Sequence, residues 1–130
     1  MNLSVTVREI SLPSASEASA RQARYQFLEQ VSNQIGASKI ALGHHLEDQA
    51  ETVLMRLFRG SGTTGLQGML KVREGKFIRP LLTSSRTEIE EFTDSLDLTP
   101  CLDESNMDRS YLRNRIRIDL IPHLKENYNP

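Results

Sequence analysis

Between Lys39 and Gly60 a short apolar run gives way within a few residues to an amphipathic helix, and no other stretch restricts the fold as tightly. Ile40, Ala41 and Leu42 fit a strand buried on both faces, the pattern of a parallel sheet. Ala50, Val53, Leu54, Leu57 and Phe58 then recur at i, i+3, i+4, i+7 and i+8, the spacing of a helix with one apolar face. Gly60 suits the end of that helix. Upstream, Leu3, Val5 and Val7 alternate with polar residues, as in a half-buried strand. Ser14 and Glu17 form a capping box ahead of a helix that stops before Gly36. Strand, helix, strand, helix predicts a βαβ crossover and an α/β fold.

The second half is less regular. Residues 60–69 are glycine-rich and carry no predicted element. Gly60, Gly62 and Gly65 match G-x-G-x-x-G, but that motif must follow a strand and open a helix to cradle a dinucleotide. Here it follows a helix, so it reads as a mobile loop. Val72 to Ile78, around Glu74-Gly75, reads as a hairpin closed by Pro80. Ser85 and Glu88 cap a helix carrying Ile89, Phe92 and Leu96 on one face. A turn-rich stretch, 98–108, leads to a last helix from about Ser110, bent or interrupted at Pro122.

Composition narrows the function classes. The chain has 130 residues, the size of one ordinary domain. Its 16 Lys+Arg against 17 Asp+Glu give a net charge of −1, unlike a histone-like protein. One cysteine, Cys101, excludes an intrachain disulfide and any C-x-x-C motif. No apolar run reaches the length of a membrane span, and the start lacks the apolar stretch of a signal peptide. The expectation is a soluble, cytoplasmic protein without membrane contact.

Three constellations could carry chemistry. In Gly43-His44-His45-Leu46-Glu47-Asp48-Gln49-Ala50-Glu51-Thr52, His44 leaves the strand end and Asp48 sits in the first helical turn. Free N–H groups there favour a phosphate. Asp48 could hold Mg²⁺ while phosphates fill the other positions, and Thr52 lies one turn on. Acidic residues are favoured in a first turn for dipole reasons alone, so a purely structural role stays open, as does a zinc site lacking a fourth ligand. Arg24 falls in the middle of the stripe made by Ala20, Ala23, Phe27, Leu28, Val31 and Ile35. It either snorkels to the helix edge or faces an anionic ligand. Arg109, Arg113, Arg115 and Arg117 fall within nine residues. Arginine forks suit phosphate oxygens, and a solvated basic face is the alternative.

Together these segments resemble the tRNA(Ile)-lysidine synthetase family, a branch of the N-type ATP pyrophosphatases or PP-loop enzymes. The resemblance rests on the run from Gly43 through Arg59-Gly60-Ser61-Gly62, then Gly65-Leu66-Gln67-Gly68-Met69. It extends to Ala20-Arg21-Gln22-Ala23-Arg24-Tyr25, Ile78-Arg79-Pro80-Leu81-Leu82, Ser85-Arg86-Thr87-Glu88-Ile89 and Asn114-Arg115-Ile116-Arg117. It implies a Rossmann-like parallel sheet with flanking helices, of the adenine nucleotide alpha hydrolase type. It also implies a ligase that adenylates the wobble cytidine of tRNA(Ile) with ATP and then joins L-lysine to it. Arg24, His44, Asp48 and Arg117 match residues the family uses around ATP, Mg²⁺ and substrate. On that basis Arg24, His44, Asp48 and Thr52 are expected to bind nucleotide, and Asp48 a metal.

The family's Ser-Gly-Gly-x-Asp-Ser phosphate loop and the strand before it do not occur in this sequence. Ile118 stands where family members usually carry His. The expectation is therefore that residues 1–130 form the C-terminal portion of the PP-loop catalytic domain and are inactive alone. The portion divides into a βαβα core over 1–60, a glycine loop and hairpin over 60–80, and helices over 85–130. The exposed sheet edge is expected to favour self-association into a homo-oligomer. The alternatives are a PP-loop tRNA thiolase, which the single cysteine disfavours, and a non-catalytic nucleotide-fold remnant.

Overall fold

A computed structural model describes residues 4–10, 17–101 and 103–128. The chain forms two compact units, one of residues 1–41 with 72–78, the other of 42–71 with 79–130.

In the first unit, helix α1 spans Glu17–Gln34. It ends two residues before Gly36, as the sequence leads one to expect. Ser32 is buried there, and its hydroxyl donates to the Ala37 carbonyl at 2.9 Å. The proposed Ser14 cap lies outside the described residues. Three two-residue strands follow: β1 (Ile40–Ala41), β2 (Val72–Arg73) and β3 (Phe77–Ile78). Their order is β1-β3-β2. β1 runs parallel to β3, with Ile40 opposite Phe77. β2 pairs antiparallel with β3, forming the expected hairpin. Three residues, Glu74 to Lys76, join the strands, and the first two have positive φ, 54° and 64°, which turns the chain back sharply. Ile40 and Phe77 are buried. The Tyr25 ring from α1 meets Phe77 edge-on, 4.9 Å between centroids.

Two expectations need correction. The alternation around Val5 and Val7 makes no strand: residues 4–10 carry no regular structure, and the two valines are 82% and 86% exposed. Alternation alone is not enough, because a strand also needs a neighbour to satisfy its backbone. The expected parallel sheet is, among the described residues, a small mixed sheet with one parallel pair.

In the second unit, α2 spans Leu46–Phe58, and α3 spans Arg86–Ser95. The Ser85–Glu88 capping box is present. Ser85 Oγ accepts from the Glu88 N–H at 3.2 Å, and the Glu88 carboxylate accepts from the Ser85 N–H at 2.7 Å. Residues 60–69 are not featureless. Gly65–Gln67 forms a turn of 3₁₀ helix, as does Glu104–Met107 further on. The last helix has three parts: α4 (Leu112–Arg115), a wide π turn (Ile116–Leu120) and α5 (Ile121–Asn127). Pro122 sits in the first turn of α5. It lacks the N–H that an uninterrupted α-helix would need there, so the break precedes it. Among the described residues, Leu82 and Ile116 are the buried apolar side chains of this unit. Among the described residues, no helix is long and apolar enough to cross a membrane.

Candidate functional site

The sequence predicts that the apolar stripe of α2 faces inward. The structure half-buries Val53 and Leu54 of that stripe but buries two acids beside it most deeply. Asp48 and Glu51 are buried, whereas Leu57 and Phe58 are about half exposed. Phe58 lines an open groove of about 430 Å³ with Leu112, Ile116 and Leu120. Burying two carboxylates is tolerable only when cations and donors meet them. Arg113 and Arg117 are those cations.

Asp48 and Glu51 stand three residues apart on α2. Arg113 and Arg117 stand four apart, where α4 runs into the π turn. Both spacings place side chains on one helix face. Glu51 is wholly buried. Its Oε2 accepts from Arg113 Nε at 2.6 Å, and its Oε1 from Arg117 Nε at 2.5 Å. Arg117 Nη2 adds a third bond to Oε2 at 3.1 Å. The Nη2 groups of both arginines also reach Asp48 Oδ1, each at a looser 3.4 Å. Hydrogen bonding to Glu51 holds the Arg117 pKa above its ordinary value despite burial, and the charges of Glu51 and Asp48 add to the effect.

The other Asp48 oxygen faces the helix start. Oδ2 accepts from the His45 N–H at 3.0 Å and lies 3.4 Å from His45 Nε2. The Leu46 N–H donates to the Ser84 carbonyl at 2.9 Å. Two of the backbone donors expected to be free for a phosphate are therefore taken by the protein itself. His45 Nδ1 lies 2.9 Å from Glu47 Oε2, which also accepts from the Arg86 N–H at the start of α3, at 2.9 Å. Burial pushes the Glu47 carboxyl pKa up. Backbone N–H groups of Glu47 and Arg86, with His45, outweigh it and leave the pKa below the ordinary 4.5.

Of the residues expected at the site, the structure brings Asp48 and Arg117 together. His44 is half-buried just before the N-cap of α2, and Thr52 is half-buried on α2 one turn beyond Asp48. Arg24 belongs to the other compact unit. It is exposed on α1 and borders a cavity of about 250 Å³ with Arg8, Ile10, Ala20 and Phe27. Direct Mg²⁺ ligation by Asp48 does not fit these surroundings. Two guanidinium groups lie against Oδ1, and a dication there would meet their charge at close range. Among the described residues no group of three or more His, Cys, Asp and Glu is gathered for a metal.

The sequence reading did not single out Glu51 or place Arg113 at the site. The signal was available: an acid pair at i, i+3 and an arginine pair at i, i+4 on separate helices. It also missed what ties down the glycine loop. Arg56 Nη1 donates to the carbonyls of Gly65 and Gly68, both at 2.8 Å. Gln49 accepts from the Met69 N–H at 2.6 Å and donates to its carbonyl at 3.1 Å. The loop is held to α2 at both points.

Comparison with known proteins agrees with the resemblance. The PP-loop domain family matches residues 1–124. The tRNA(Ile)-lysidine synthase of Clostridioides difficile is 46% identical over 113 residues, which cover 87% of this chain and 24% of that protein. The enzyme of the same name from Geobacter sulfurreducens is 50% identical over 109 residues, 83% of this chain and 23% of the relative. That of Bacillus cereus is 45% identical over 117 residues, covering 88% and 24%. The chain thus spans about a quarter of the length of these curated relatives. A family match over nearly all of the sequence, and an ordered constellation on the helix that carries its most specific motif, lead to one conclusion: the chain belongs to the PP-loop domain family.

Proposed function

We propose that this chain is part of an ATP-dependent tRNA(Ile)-lysidine synthase, a cytoplasmic ligase with tRNA(Ile) and L-lysine as its partners. ATP activates the wobble cytidine as an adenylate with release of pyrophosphate, and the lysine amine then displaces AMP. The observation that supports this reading best is the grouping of Asp48, on the helix that carries the resemblance to lysidine synthases, with Arg117 of the wide π turn. Fixed cationic side chains offset charge that develops on phosphates, and fixed carboxylates orient amines and other donors.

Within this reading, Arg24 and Arg117 meet phosphate charge, and His44 and Thr52 donate or accept hydrogen bonds around the nucleotide. Asp48 orients the helix start and the arginines. Mg²⁺ accompanies ATP through its phosphates, since the surroundings of Asp48 disfavour direct coordination.

The test is a graft. The sequence replaces the aligned 113 residues of the Clostridioides difficile relative, and lysidine formation is measured with ATP, L-lysine and tRNA(Ile). Activity is expected, with a loss of at least about 100-fold for Asp48→Ala and for Arg24→Ala, the scale of removing one electrostatic group. A folded graft that makes no lysidine overturns the assignment. Full activity in both variants overturns the site.

A further inference from the structure

Glu51 belongs to none of the roles assigned above, yet it is the most completely buried charged group described. The four-residue cluster is layered by exposure. The Glu51 side chain is 0% exposed, that of Asp48 12%, and those of Arg113 and Arg117 28% and 27%. Carboxylates lie at the back and guanidiniums at the front. Each arginine spends its Nε and Nη2 on the carboxylates. Among the described residues, neither Nη1 has a hydrogen-bond partner.

We propose that Glu51 is a positioning residue: it locks Arg113 and Arg117 side by side so that their remaining N–H groups together receive a phosphoryl oxyanion. The proposal deepens the lysidine synthase reading and rests on it for the identity of the nucleotide. The chemistry is that of a fork set in advance. A free arginine loses much rotamer freedom when it binds an anion. Here that freedom is already lost to Glu51, whose two oxygens fix both Nε groups. The rigid planar guanidinium then carries its outer edge to a set place. The arginine pair is also balanced by two acids, so the site holds its shape before any ligand arrives. Arg113 thereby joins Arg117 as an anion contact.

The experiment uses the chain itself and does not depend on lysidine formation. Arginine Nε–H resonances of Arg113 and Arg117 are followed by NMR while inorganic pyrophosphate is added. Separate arms use ATP and a single-stranded RNA oligonucleotide. Both resonances should be sharp and dispersed before addition, and both should shift with pyrophosphate. Glu51→Gln should broaden them and weaken binding about tenfold, the scale of one charge-assisted hydrogen bond. If Glu51→Gln does not fold, Arg113→Lys and Arg117→Lys keep the charge and remove the fork, and each should weaken binding by a similar factor. A response to ATP names a nucleotide phosphate as the source, and a response to RNA alone names a backbone phosphate. No shift with any of the three anions overturns the proposal. So does unchanged affinity in folded Glu51→Gln or, where that variant fails to fold, in both lysine variants. An active graft with silent resonances would defeat this inference alone, and shifting resonances in an inactive graft would defeat the lysidine synthase reading alone.

Discussion

Arg117 grips Glu51 with one edge of its guanidinium, Nε to Oε1 at 2.5 Å and Nη2 to Oε2 at 3.1 Å. Truncating Glu51 leaves two partly buried arginines without their main acceptor. Glu51→Ala should therefore destabilise the chain by about 3 kcal/mol, the scale of breaking a buried pair. The Arg109–Asp119 pair, 3.1 Å apart, is exposed on both sides. Arg109→Ala should cost no more than about 0.5 kcal/mol. Urea unfolding of the two variants checks the contrast, and equal losses would contradict it.

Arg56 is the clasp of the glycine loop. Arg56→Ala removes two charge-assisted bonds to carbonyls and should cost about 2 kcal/mol. Its more specific consequence is local. Amides of residues 61–69 should exchange with solvent faster, while those in the middle of α2 keep their protection. Uniform change along α2 and the loop would point to general loosening instead.

Gly68 approaches α2 too closely for a side chain. Its φ is +70°, and a Cβ there would lie 2.7 Å from the Gln49 side-chain amide. Gly68→Ala should destabilise by about 1 to 2 kcal/mol through backbone strain and displacement of Gln49. Pairing it with Gln49→Ala should relieve part of that loss, since the clash goes with the amide. Strict additivity in a double-mutant cycle would remove the clash from the explanation.

Glu47 ties α2 to the start of α3 and has a lowered pKa in the folded chain. A depressed carboxyl pKa stabilises the fold above the unfolded value, and the stabilisation is lost as pH falls through the folded value. That loss lies below the ordinary 4.5. Stability measured from about pH 6 down to about pH 3 should fall less steeply in Glu47→Gln than in the parent. At neutral pH that variant should be weaker by about 1 kcal/mol. Identical acid limbs would exclude Glu47 as a contributor.

Local signals were legible in the sequence wherever a few neighbouring residues decide the geometry. The Glu74-Gly75 turn, the Ser85–Glu88 box and the end of α1 before Gly36 need no distant partner. The interruption near Pro122 follows from one missing N–H. Glu51 was harder, because its partners are 62 and 66 residues away in the chain. The helix pattern misled at α2 for a related reason. A wheel ranks positions by hydrophobicity and cannot know that two arginines elsewhere will neutralise an acidic face. At Val5 and Val7 the alternation was real, but a strand is defined by its neighbour, and the described residues provide none there.

The wide turn over Ile116–Leu120 holds one residue more than an α-helical turn would. Removing a single residue between 118 and 120 would restore an ordinary helix and leave the faces after it nearly where they are, because the wide turn takes up its extra residue locally. Ile121 and Leu124, now partly covered, would keep their side of the helix, whereas one further residue wound in as ordinary α-helix would turn them about 100° away while the arginines upstream kept their places. In comparisons among relatives, length changes at this turn should therefore run to one residue fewer rather than one more.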